Sequence, residues 1–150
     1  DLYEGGIRVP MIVRAPGRVP AGRTSDAVWA HWDVLPTLAE LAGASAPPGV
    51  DGVSVRDALE GEAAGEEHPP LYSEFHERGF EQAVRMGKWK AVRHGADQPL
   101  ELYDLEADLS ERKDVSAENP EVVARFEAYL ETARTESSLW PLEEAGAGGE

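Results

Sequence analysis

The stretch Asp1-Leu2-Tyr3-Glu4-Gly5-Gly6-Ile7-Arg8-Val9-Pro10-Met11-Ile12-Val13-Arg14-Ala15-Pro16-Gly17 carries the fold assignment. From Val9 to Val13 both alternating faces are apolar, with Val9, Met11 and Val13 on one and Pro10 and Ile12 on the other. That pattern predicts a strand buried on both faces, as in a sheet with helices on each side. Pro10 fits only where the ladder needs no donor. Pro16-Gly17 and Pro20-Ala21-Gly22 read as turns. A buried strand this close to the first residue raises the question of where the rest of its sheet lies.

Working outward, the 150 residues suit one domain, or a small domain with a piece of another. The chain has no cysteine, which excludes disulfides, thiolate metal sites and cysteine nucleophiles. A formal charge of −15 sets aside nucleic acid and anionic membrane surfaces as general partners. No apolar run approaches the roughly eighteen residues of a membrane span. Cytoplasmic and secreted locations both remain open.

Asp33 is placed to cap a helix running to Ala42, with Pro36 in its first turn and a stripe of Leu35, Leu38 and Leu41. Gly43 supplies the left-handed stop. A short helix is expected from Ser54 to Leu59. The acidic, small-residue run from Glu60 reads as a linker. Beyond it the rhythm changes. Residues 71–75 predict a strand, 82–93 a hairpin turning at Gly87-Lys88, and 100–105 another strand. A helix follows, with Asn119 as cap, Pro120 at its first position, and Val123, Phe126, Leu130 and Ala133 on one face. Strands in succession closed by one helix make an antiparallel sheet with a helix packed on one face. The expected partition is therefore 1–59, a linker at 60–70, an α+β subdomain at 71–140 and a disordered tail at 141–150.

Candidate chemistry is sparse. There is no nucleophile elbow and no Gly-rich phosphate loop. The run from Asp104 resembles a calcium loop, but it lacks the glycine at the sixth position and reads instead as an Asx turn ending a strand. His31 and Asp33 are spaced for different sides of a helix, and His68 and His94 are expected to be solvated. His76, beside Glu77 and Arg78 at a strand end, is the candidate binding residue, because loops held by a rigid sheet carry function. Arg85, Lys88, Lys90 and Arg93 form a basic stretch in an acidic chain. They are either the solvated face of the hairpin or an edge for an anionic ligand.

The opening stretch resembles the type I sulfatases of the alkaline phosphatase superfamily, whose pattern K-G-x-x-x-E-G-G-x-R-x-P precedes an apolar strand and a Pro-Gly. Glu4, Gly5, Gly6, Arg8, Pro10, Pro16 and Gly17 match it. The resemblance continues through HWDVLPTLAELAGA at His31, DGVSV at Asp51, AVRMGKWKAV at Ala83 and LELYDLEADLSER at Leu100, covering most of residues 3–112. Leu109 stands where the family usually has proline.

The resemblance implies an alkaline phosphatase-like α/β fold, of which this chain is a C-terminal fragment. It would hold a remnant strand and helix of the catalytic sheet and the small α+β subdomain. It implies a parent enzyme that hydrolyses sulfate esters with a formylglycine nucleophile and calcium. The nucleophile motif C/S-x-P-S/A-R, the calcium ligands and the sulfate-binding lysine all belong to the family's upstream part. No catalytic residue, metal site or cofactor is therefore expected within this chain, and the chain alone is expected to be inactive. Glu4, Gly5, Gly6 and Arg8 are active-site scaffold. The glycines would supply positive φ, and Arg8 would tie a carboxylate or carbonyl of the catalytic domain. His76, Glu77 and Arg78 are candidates for the substrate rim. The implied partner is a sulfated small molecule or sugar. The apolar residues of 9–13 and 35–41, facing a sheet not contained here, predict self-association of the chain on its own. A phosphonate or phosphate monoester hydrolase of the same superfamily, or a non-catalytic assembly or carbohydrate-binding module, is the alternative.

Overall fold

The computed structural model describes residues 1–61, 68–77, 79–139 and 141. The chain divides into two compact units, one of Asp1–Val9 with the residues from Pro70 onward, the other of Pro10–Pro69. Of the expected linker 60–70, residues 62–67 lie outside the described residues; the division falls after Pro69, and the first nine residues group with the C-terminal unit rather than with a 1–59 segment. The reason is apolar: Leu2 is buried among Ala83, Val92, Tyr103 and Leu105.

In the first unit, α1 (Glu4–Ile7) is a single turn, and four strands follow as β1 (Leu71–Phe75), β2 (Glu81–Met86), β3 (Trp89–Arg93) and β4 (Glu101–Asp104). They form an antiparallel meander in the order β1-β2-β3-β4. The register sets Val84 opposite Ala91, and Ala91 opposite Leu102. Those three side chains face α4 (Pro120–Ala133), which contributes Val122, Phe126 and Leu130. The spacing of four between these residues is one helical stripe. On the other face Ala83, Val92 and Tyr103 meet the N-terminal segment. Both faces of the central hairpin are thus covered, and its inner residues are buried irrespective of alternation.

Several expectations hold here. The hairpin turns at Gly87-Lys88, and Asp104 caps an Asx turn by accepting from the amides of Glu106 and Ala107. Asn119 precedes α4, but its amide group donates to the Val115 carbonyl rather than capping the helix.

The second unit is built on α2 (Val34–Leu41), entered through a 3-10 turn at His31–Asp33, and α3 (Arg56–Glu60). Gly43 takes φ 73°, the left-handed stop expected. Asp33 does not cap α2 with its side chain. It is buried and reaches backward and across instead, accepting from Ala30 N at 2.6 Å and Val53 N at 2.9 Å. The Thr37 hydroxyl donates to the Asp33 carbonyl and accepts from Val55 N, pinning residues 53–55 along the helix.

Two expectations fail in this unit. Residues 9–13 are not a strand; they have no ladder partner among the described residues, and Val9 and Ile12 are 63% and 93% exposed. The stripe of α2 is also uncovered, and the buried helix residues are Pro36 and Thr37. In both cases the apolar pattern is present, but among the described residues no apolar surface covers Val9, Ile12, Leu35 or Leu38. Of the expected tail 141–150, residues 142–150 lie outside the described residues.

Candidate functional site

Three consecutive residues tie the Glu-Gly-Gly segment to the sheet. Leu2 enters the apolar face. The Tyr3 hydroxyl donates to the Glu101 carboxylate and lies 2.9 Å from His94 Nε2. Burial, and then the bond to Glu101, push the Tyr3 phenol up to about 12. Glu4, itself buried, accepts from Lys90 Nζ at 3.0 Å. Lys90 is 1% exposed and also lies 2.8 Å from Glu111 Oε1. Arg85 Nη1 stands 3.8 Å from Glu4 Oε2. The Glu111 carboxylate accepts from the backbone amide of Glu4 as well.

The scaffold residues therefore separate. Glu4 is anchored. Gly5 and Gly6 are helical, not left-handed, which corrects the expectation of positive φ. Gly6 is required for a different reason: a Cβ there would come within 2.6 Å of the Asp1 carbonyl oxygen. Arg8 donates its amide to the Glu4 carbonyl, and the residue is exposed.

Of the rim candidates, His76 follows β1 and sets Nε2 3.0 Å from the Glu74 carboxylate, with its ring 5.2 Å from that of Phe80. Burial opposes ionisation of Glu74, but hydrogen bonds from Tyr72 and His76 and the charge of Arg134 hold its carboxyl below the ordinary value. Glu77 is exposed. Arg78 lies outside the described residues.

The basic stretch is not a common edge for an anion. Lys90 is paired with two carboxylates, Lys88 pairs with Asp104 at 2.6 Å, and Arg93 donates to Gln82. The Lys88 bond holds the Asp104 carboxyl below its usual range. Two histidines expected in solvent have partners. His94 Nδ1 lies 3.0 Å from Glu81, and His68 sets Nε2 2.9 Å from Asp33 and Nδ1 2.7 Å from the Pro69 carbonyl. Sequence spacing gave no sign of either, nor of the Lys90–Glu4 pair, whose members are 86 positions apart.

Among the described residues no group of three His, Asp or Glu side chains is placed to hold a metal ion. With no cysteine and no C/S-x-P-S/A-R stretch either, these residues do not fit calcium or a formylglycine.

The family model for the N-sulphoglucosamine sulphohydrolase C-terminal region matches residues 1–136. Choline-sulfatase of Rhizobium meliloti is 38% identical over 125 residues, 80% of this chain and 23% of that protein. Mouse arylsulfatase K is 29% identical over 141 residues, 87% of this chain and 25% of its own length. A solved 2-O GAG sulfatase superposes with a TM-score of 0.58 at 31% identity, covering 67% of this chain and 23% of that one. The chain thus spans about a quarter of the length of these relatives.

Proposed function

Because the chain belongs to the family of the N-sulphoglucosamine sulphohydrolase C-terminal region, we propose that it is the C-terminal portion of a sulfuric ester hydrolase. The reaction is hydrolysis of a sulfate ester to an alcohol, phenol or sugar hydroxyl and inorganic sulfate. The match over residues 1–136 is the observation that carries this reading, since it takes in the Glu-Gly-Gly turn, the sheet and α4 together. The calcium and the formylglycine of such an enzyme belong to the upstream part of the protein. This chain contributes binding and support. Residues 10–59 would flank the catalytic sheet, and the sheet unit would carry the Glu4–Arg8 scaffold and the rim at His76, Glu77 and Arg78. A choline sulfatase and a GAG sulfatase among the relatives favour a sulfated small molecule or sugar as substrate.

The test is sulfate release by the full-length protein from an aryl sulfate, choline sulfate and sulfated disaccharides, beside phosphonate and phosphate monoesters. Preferential turnover of a sulfate ester supports the reading. Preferential turnover of a phosphonate or phosphate monoester replaces it with the other hydrolase of this scaffold, and no turnover of any ester favours a binding module. On the identified substrate, His76→Ala and Arg78→Ala are expected to lower kcat/KM by about tenfold each, the scale of a charge-assisted contact. Wild-type kinetics in both would remove the rim from this loop.

A further inference from the structure

We propose that Lys90 is a positioning residue for the Glu4-Gly5-Gly6 turn. On the reading just given, it is therefore a positioning residue for the active-site scaffold. Lys90 is the second residue of β3, in register with Arg85 of β2 and Tyr103 of β4, on the face that receives the N-terminal segment. A buried ammonium is tolerated only when paired, so its place in the strand fixes where two carboxylates must lie.

One of them, Glu111, is delivered by a backbone at φ 51°, a conformation that a non-glycine side chain rarely adopts. Its carboxylate accepts from the Glu4 amide, while Lys90 holds the Glu4 carboxylate. The first residue of the turn is thus gripped through its backbone and its side chain at once. A Cβ on Gly6 would come within 2.6 Å of the Asp1 carbonyl oxygen, so the turn runs close against Asp1.

Apolar residues in the place of the three charges could pack as stably, because buried ion clusters are rarely stabilising relative to them. What apolar contacts lack is direction. The charged cluster specifies one position of the turn along the strand.

The experiment compares Lys90→Met with the neutral combination Glu4→Gln/Lys90→Met/Glu111→Gln, which leaves no buried charge behind. In the 150-residue chain, amide exchange is followed at Gly6, Ile7 and Arg8, whose amides bond to the Tyr3 and Glu4 carbonyls. Both variants should speed exchange at these three sites by about tenfold or more, while amides of Ala83 and Val92 keep their protection. In the full-length protein the neutral combination should lower kcat by about tenfold or more with KM little changed, as misplacement of a catalytic group does. If Lys90→Met unfolds the sheet, the neutral combination decides alone. Unchanged exchange at the turn overturns the positioning role. A loosened turn with undiminished kcat leaves the turn positioned by Lys90 but overturns its part in the active site.

Discussion

Helices α4 and α2 carry similar apolar stripes and meet opposite fates. In α4, Val122, Phe126 and Leu130 are buried against Val84, Ala91 and Leu102 of the sheet. In α2, Leu35 and Leu38 stay 52% and 59% exposed, and the helix is held by polar contacts from Asp33 and Thr37. A hydrophobic stripe reports the surface for which a segment is patterned. It does not report whether that surface lies in the same chain. On the proposed function, the stripe of α2 and the apolar residues 9–13 face the catalytic sheet of the longer protein.

Truncating one residue in each stripe separates the two helices. Phe126→Ala should cost about 3–5 kcal/mol, the usual loss for a buried aromatic, read as a lower urea midpoint. Leu38→Ala in the same chain, diluted until it is monomeric, should change stability by less than about 0.5 kcal/mol, as an exposed substitution does. A comparable loss at Leu38 would mean that α2 is covered after all.

Much of the first unit was legible because its partners are close in sequence. The hairpin joins adjacent strands across Gly87-Lys88, and the Asx turn spans Asp104 to Ala107. The α4 stripe is a local periodicity. What escaped was contact at long range or contrary to type. Lys90 reads as solvent-facing in any strand pattern, and only the approach of Glu4 and Glu111 makes its burial tolerable. The segment 9–13 is patterned as strand yet pairs with no strand among the described residues, since pattern fixes which faces are apolar but supplies no partner edge. The Glu-Gly-Gly motif suggested positive φ, whereas Gly6 answers to crowding and not to φ.

Within the second unit the polar hold can be tested against the apolar one. Asp33→Ala removes the acceptor for two half-buried backbone amides and for His68. Each unsatisfied amide costs about 1–3 kcal/mol, so this substitution should destabilise the unit far more than loss of Leu38. Faster amide exchange at Ala30 and Val53, with β3 unaffected, is the expected result. Equal protection in variant and parent would show that water replaces the carboxylate at no cost.

The uncovered face also predicts association. Met11, Ile12, Trp29, Leu38, Leu41 and Leu59 line an open apolar groove in the second unit. The chain on its own should form a dimer or larger assembly by light scattering, and Ile12→Glu with Leu38→Glu should return it to a monomer. A monodisperse monomer before substitution would show that this groove needs no cover.

The smallest effect sets the first unit apart at alkaline pH. Tyr3 is held protonated by burial and by Glu101, with its phenol pushed up to about 12, against an ordinary value near 10 in the unfolded chain. The folded state therefore keeps this proton where the unfolded state loses it. Linkage makes stability fall as pH rises through that interval: the contribution is complete below about pH 10 and gone above about pH 12. Tyr72 and Tyr103 are raised further, Tyr72 by burial and Glu74 and Tyr103 by burial and Glu101, and they extend the same trend upward. Tyr3→Phe should flatten the lower part of the slope in urea midpoints measured between about pH 9 and 11, leaving the neutral-pH difference as the cost of one lost hydrogen bond. An unchanged slope would mean that the Tyr3 hydroxyl titrates as it does in water and that the N-terminal segment leaves the sheet before the phenol ionises.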